Sequence, residues 1–231
     1  MKFLRLPWIL WFALNLARAA ESSSEQFAGE ALAARLREVR PDRPQTNQAV
    51  LKLRGVDGRK QIPVTVLTLP RTNGWEVRYE AILPGGIPET LVIQHLTNQP
   101  PQYRGAVEGE RIEGGAQAFA GSDFSRGDLG LEFLHWPRQR VLRRELSNGR
   151  MCDVLESRPE SDGPYGSVRS WVDTKEGVLL SAEAYDERQV RVKQFSVTHF
   201  REVEDQWTFS LSMVDDRKGT KTELSYEPGP R

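Results

Sequence analysis

The sequence predicts a mainly β protein with a few helices, an α+β chain whose curved antiparallel sheet forms an incomplete β-barrel behind an N-terminal helix and a helical lid. Three observations predict it. From Gln48 onward apolar residues recur with period two, turn dipeptides interrupt that pattern at short intervals, and the strands so delimited are apolar on one face only.

The first twenty residues have the three parts of an export signal: Lys2 and Arg5, an apolar run from Leu6 to Leu16, then Ala17, Ala19 and Ala20. The run is shorter than the roughly 20 apolar residues a helix needs to span a bilayer. Ala17-Arg18-Ala19 fits the small-x-small rule, so residues 1–19 are expected to be a cleaved signal peptide and residues 20–231 a single domain. The expected location is the periplasm. Without Lys2, Arg5 and Arg18 the mature chain carries 29 basic and 32 acidic residues of interspersed sign, a balance that argues against a nucleic-acid partner. The single cysteine, Cys152, excludes an intrachain disulfide and lies far from the cleavage point, where a lipid anchor would attach.

After the leader, Phe27, Ala31, Leu32, Leu36 and Val39 recur at helical spacing, which predicts a helix from Gln26 to Val39 ended by Pro41 and Pro44. The hairpins follow. Asp57-Gly58, Asn73-Gly74, Gly85-Gly86, Asn148-Gly149 and Glu176-Gly177 mark their tips, and nine to eleven strands fit between Gln48 and Tyr226. Trp75, Val77 and Tyr79 alternate with Glu76, Arg78 and Glu80. Trp207, Phe209, Leu211 and Met213 repeat the pattern, and Val178, Leu180, Ala182 and Ala184 line one side of another strand. So wide a sheet with so few helices to cover it is expected to curl.

One segment breaks the β pattern. Between Gly121 and Pro137, Ser125 is a candidate N-cap with Asp128 three residues on, and Leu129, Phe133 and Trp136 would share one helical face, a cap over the sheet. Gly127 and Gly130 weaken such a helix by about 1 kcal/mol each relative to alanine, so tertiary contacts must hold it.

Motifs for catalysis are missing. His95, His135 and His199 are each alone in sequence, and no zinc-hydrolase pairing, nucleophile elbow, phosphate loop or dinucleotide fingerprint occurs. His95 and His199 share parity with apolar neighbours and read as buried, hydrogen-bonded residues. Cys152 reads as a small buried hydrophobe. Asp215-Asp216, beside Arg217 and Lys218, reads as a solvated hairpin tip. Neither catalytic residues, nor a metal site, nor a cofactor are expected.

Gly121-Ser122-Asp123-Phe124-Ser125, the amphipathic stretch Asp128 to Trp136, and the hairpin strand from Arg150 to Pro159 together resemble the outer-membrane lipoprotein-sorting, LolA-like family. Ser170-Trp171-Val172-Asp173, Ala184-Tyr185-Asp186 and the run from Gln206-Trp207 to Asp215-Asp216 continue in that family's order, so the resemblance spans Phe119 to Tyr226. It implies a periplasmic carrier whose apolar cavity shelters acyl chains of a lipoprotein or lipid. It also implies an inner-membrane transporter as donor and an outer-membrane acceptor, with the carrier a monomer. Water-exposed acyl chains cost about 0.8 kcal/mol per methylene, which a cavity relieves.

The matching segment offers Phe119, Phe124, Leu129, Phe133, Leu134 and Trp136 as lid or cavity contacts. Strand parity offers Trp75, Val77, Tyr79, Trp207, Phe209 and Met213, although any of these twelve equally suits a filled core. Arg78 is the candidate lid contact, by likeness to an arginine of the carriers, although an outward surface charge is the reading favoured for it. Two other roles stay open: an envelope sensor or protein-interaction module on the same fold, and an exported hydrolase assembled from distant residues.

Overall fold

The computed structural model describes the backbone of residues 8–55, 58–203 and 206–227, and their side chains apart from 8–22, 112, 199–203 and 206–208. Lys2 and Arg5 of the expected signal lie outside the described residues. The described helices include none long and apolar enough to cross a membrane.

Helix α1 runs Trp8–Glu38. Thirteen strands follow among the described residues: β1 (Gln45–Gly55), β2 (Gly58–Arg71), β3 (Gly74–Leu83), β4 (Ile87–Leu96), β5 (Gln102–Val107), β6 (Glu110–Glu113), β7 (Arg138–Ser147), β8 (Arg150–Arg158), β9 (Ser167–Asp173), β10 (Leu179–Tyr185), β11 (Arg191–Val203), β12 (Gln206–Asp215) and β13 (Thr220–Tyr226). They form one curved antiparallel sheet that does not close into a barrel, in the order β6-β5-β4-β3-β2-β1-β13-β12-β11-β10-β9-β8-β7. The count exceeds the nine to eleven expected. β6 has only four residues, and a bulge between Val141 and Arg143 blurs the alternation of charge-dense β7.

Four hairpin tips sit where their dipeptides place them, and Asp57 of the fifth lies outside the described residues. At the β7–β8 tip Asn148 and Gly149 have φ of 49° and 76°, the left-handed pair that a tight hairpin turn requires. Two meanders, β1 to β6 and β7 to β13, meet where β1 pairs with β13 (Leu51 opposite Leu224).

That topology dictates the position of the cap. β6 and β7 are opposite edges of the sheet, so the chain that joins them, residues 114–137, must cross from one edge to the other. Its Phe119 and Phe124 are buried among Ala49, Leu51, Val64, Val66, Val77, Tyr79, Leu91 and Ile93, the apolar face of the sheet. A second apolar cluster lies under α1, with Leu32, Ala33, Leu134, Leu155, Val168 and Val172.

The buried stripe of α1 is narrower than its spacing predicts. Leu32, Ala33 and partly buried Leu36 pack inward, while Phe27 and Val39 are 76% and 63% exposed and Ala31 faces out. Gly29 explains the fit against β7: a Cβ there would stand 2.5 Å from the backbone of Arg140, so only glycine lets helix and strand approach so closely. Val178 is likewise exposed, preceding β10 and outside its alternation.

Candidate functional site

The cap begins with the Gly-Ser-Asp-Phe segment. Asp123 anchors it: its carboxylate accepts from Thr220 Oγ1 at 2.6 Å and Thr222 Oγ1 at 2.8 Å, and its N–H donates to Thr222 Oγ1 at 3.0 Å. Ser122 Oγ accepts from the Phe124 N–H, turning the chain so that both Phe119 and Phe124 point into the sheet. The Phe119 ring lies 5.7 Å from that of Tyr79.

Ser125 and Asp128 form the full reciprocal capping box at the start of α2 (Arg126–Leu129). The expected single helix does not continue. Gly130 ends α2, Leu131 takes a left-handed φ of 50°, and a separate 3-10 turn follows at Glu132–His135. Leu129, Phe133 and Trp136 therefore do not share one face. Leu129 packs on the cluster around Phe119, and Phe133 and Trp136 pack on the cluster under α1.

Polar bonds hold the cap from beneath. Lys193 of β11 donates to Asp123 O at 2.7 Å and Asp128 Oδ2 at 2.9 Å, and Tyr165 donates to Asp128 Oδ1 at 2.9 Å. Burial, with Asp128 beside it, pushes the Tyr165 hydroxyl far above its ordinary range. Arg126, 1% exposed, reaches Glu89 of β4, whose other oxygen accepts from the Ala120 N–H at 3.1 Å. Gly105 of β5 makes room for it, since a Cβ there would lie 3.0 Å from Arg126 Nη1.

The arginine that joins cap to sheet in this structure is carried by the cap. Arg78 alternates with the buried Val77 and Tyr79, and its guanidinium meets Glu76 at 3.5 Å and Glu80 at 3.9 Å, both on its own strand.

Two clefts flank the cap. The first, about 170 Å³, is lined by the α1 end, β3, β4 and the cap, and includes Trp75, Val77, Tyr79, Leu129 and Leu134. The second, about 420 Å³, is lined by Phe133, Trp136, Asp128, Glu132 and the loop from Pro159 to Tyr165. Burial pushes the Glu132 carboxyl up, and the neighbouring Tyr103 hydroxyl opposes that rise. Between them the interior is nearly full, with a void of about 20 Å³ bordered by Phe133, Phe195 and Met213.

Of the expected contacts, five line the first cleft and two the second. Phe119, Phe124 and Met213 are 1–3% exposed and fill the interior. Phe209 stacks on Tyr226 with centroids 4.5 Å apart, away from both clefts. The Trp207 and His199 side chains lie outside the described residues. Cys152 is fully buried, and burial pushes its thiol up.

Sequence reasoning missed the mouth of the first cleft. His95 is half-buried and stacks flat on Trp75, centroids 3.9 Å apart and planes 7° apart. His135 from the cap and Arg37, Glu38 and Arg40 from the α1 end complete the rim. Burial lowers His95 to about 4, with His135 adding to it; burial and then Arg37 lower His135 to about 4. Among the described residues no group of three or more His, Cys, Asp or Glu side chains is placed to hold a metal.

A family model described as "Uncharacterized protein" matches residues 108–228. No curated protein matches by sequence. Among solved structures, a DUF1329 family protein from Desulfovibrio piger has 18% identity and a TM-score of 0.73, covering 88% of this chain and 91% of its own. A Vibrio parahaemolyticus domain assigned as an outer membrane lipoprotein-sorting protein has 19% identity and a TM-score of 0.71, with 88% and 92% covered. A LolA superfamily protein from Nitrosomonas europaea has 16% identity and a TM-score of 0.64, with 87% and 91% covered. These likenesses show a LolA-like fold.

Proposed function

We propose that this chain, which belongs to the family whose model covers residues 108–228, is an exported carrier that shelters acyl chains of lipoproteins or lipids without catalysis. The observation that carries the reading is the cap itself. A segment obliged to cross an apolar sheet is pinned by a few discrete bonds, those of Asp123, Arg126 and Asp128, with open clefts on both sides. Such an element closes over the apolar face when empty and exposes it when displaced. The interior void of about 20 Å³ is too small for an acyl chain. Loading therefore requires Phe119 and Phe124 to withdraw together with the cap.

Export follows from the leader at residues 1–19 and is supported by the lipoprotein-sorting assignment of a structural relative. An inner-membrane donor and an outer-membrane acceptor belong to the same reading.

The test is retention of a palmitoylated peptide in detergent-free solution. The protein is expected to hold it stoichiometrically, and the variant Phe133→Ser/Trp136→Ser is expected to lose it while staying folded by circular dichroism. Equal retention by both, or by neither, contradicts the reading.

The sheet edge at β6 and the exposed Leu146, Met151 and Val178 near the β7–β8 and β9–β10 tips favour a second reading, docking of a protein partner. It predicts binding that survives the Phe133→Ser/Trp136→Ser change.

A further inference from the structure

We infer that the first cleft selects an amphiphile with an anionic phosphate or carboxylate headgroup, held by Arg37 and Arg40 at the mouth with its first carbons against Trp75, Val77, Tyr79, Leu129 and Leu134. The inference rests on the carrier reading and names the class of cargo.

Size supports a headgroup site. A cleft of about 170 Å³ that opens to solvent has room for a headgroup and the start of a chain. The wall beneath is apolar and aromatic.

Charge points the same way. The charged and titratable groups lining the cleft are Arg37, Glu38 and Arg40 from the α1 end, Tyr79 from β3, His95 from β4 and His135 from the cap. Glu38 is the single carboxylate among them. Arg37 donates through Nη1 to Leu134 O at 2.7 Å, and Arg40 through Nη2 to Thr97 Oγ1 at 3.0 Å. Each is thereby steadied by one bond and keeps other donors for a ligand. Among the described residues neither forms an ion pair, whereas Arg78, Arg140, Arg150 and Arg191 all do. A guanidinium fork with spare donors is the group best matched to a phosphate or carboxylate.

The histidines add a response to acid. Both rings are neutral near pH 7 in the empty cleft. An anion beside them favours their charged forms, so its binding takes up protons and tightens as pH falls below 7. Tyr79 is pushed up to about 12 by burial and stays neutral throughout.

The experiment measures binding of 1-palmitoyl lysophosphatidylglycerol and of uncharged 1-palmitoylglycerol, each below its micellar concentration, by isothermal titration. The anionic lipid is expected to bind at least about tenfold tighter. In Arg37→Gln/Arg40→Gln the ratio of the two affinities is expected to fall within about twofold, with an unchanged circular dichroism spectrum showing that the variant is folded. Equal affinities in the parent protein, or a ratio preserved in the variant, overturn the inference. Inorganic phosphate competing at micromolar concentration overturns it in favour of a free-anion site. Binding of neither lipid removes the carrier reading itself.

Discussion

Arg126 leaves the cap and meets Glu89 on the sheet, Nη2 3.6 Å from Oε1, with 1% and 6% of the two side chains exposed. Among the described residues, Nε and Nη1 of the same arginine have no hydrogen-bond partner. A buried pair of this kind contributes little net stability but is costly to break from one side, because the survivor is left charged in a dry site.

Glu89→Leu is therefore expected to destabilise the protein by about 3–5 kcal/mol, and the double variant Glu89→Leu/Arg126→Met to recover most of that loss. Urea unfolding monitored by tryptophan fluorescence measures both. Equal destabilisation in the single and double variants would show that the pair is not a unit.

Gly105→Val adds atoms where Arg126 Nη1 already stands 3.0 Å and Thr90 O 2.8 Å from the site of a Cβ. Overpacking of this order costs about 1–3 kcal/mol. The account expects faster amide exchange in residues 118–136 than in β1 and β13, since the cap gives way before the sheet does.

Acid should weaken the empty protein through His95 and His135. Their folded values near 4 lie below the ordinary 6.5, so between these limits the unfolded chain binds more protons. Stability then falls as pH drops from about 6.5 toward 4. His95→Gln should flatten part of that slope in urea titrations at pH 7 and pH 5.

Cys152 has no exposed surface and a raised thiol. Labelling by an aromatic disulfide reagent should be slow in native buffer, with a rate that tracks global unfolding in urea and not cap motion.

What the sequence made legible was local. Asn148-Gly149 announces its own hairpin because the positive φ angles are a property of those two residues. Val77 and Tyr79 announce their face because a strand alternates with period two. The capping box of Ser125 and Asp128 is equally short-range. The cleft mouth is different in kind. Arg37 bonds Leu134 and Arg40 bonds Thr97 across 97 and 57 residues, and His95 approaches His135 only because the chain between β6 and β7 must cross the sheet. The same distance hid the role of Arg126, which periodicity cannot tell from the surface arginine Arg78. In α1 the helical spacing of Phe27 and Ala31 was real, yet tertiary packing used only the neighbouring stripe of Leu32, Ala33 and Leu36.

Whether the protein carries lipid is read by native mass spectrometry, with lipid extraction, on the mature protein purified from a periplasm without detergent. A bound acylated species of anionic headgroup is expected, with the preference for the anionic headgroup lost in Arg37→Gln/Arg40→Gln. A protein that emerges free of ligand, and stays so when lipid is offered, would contradict it.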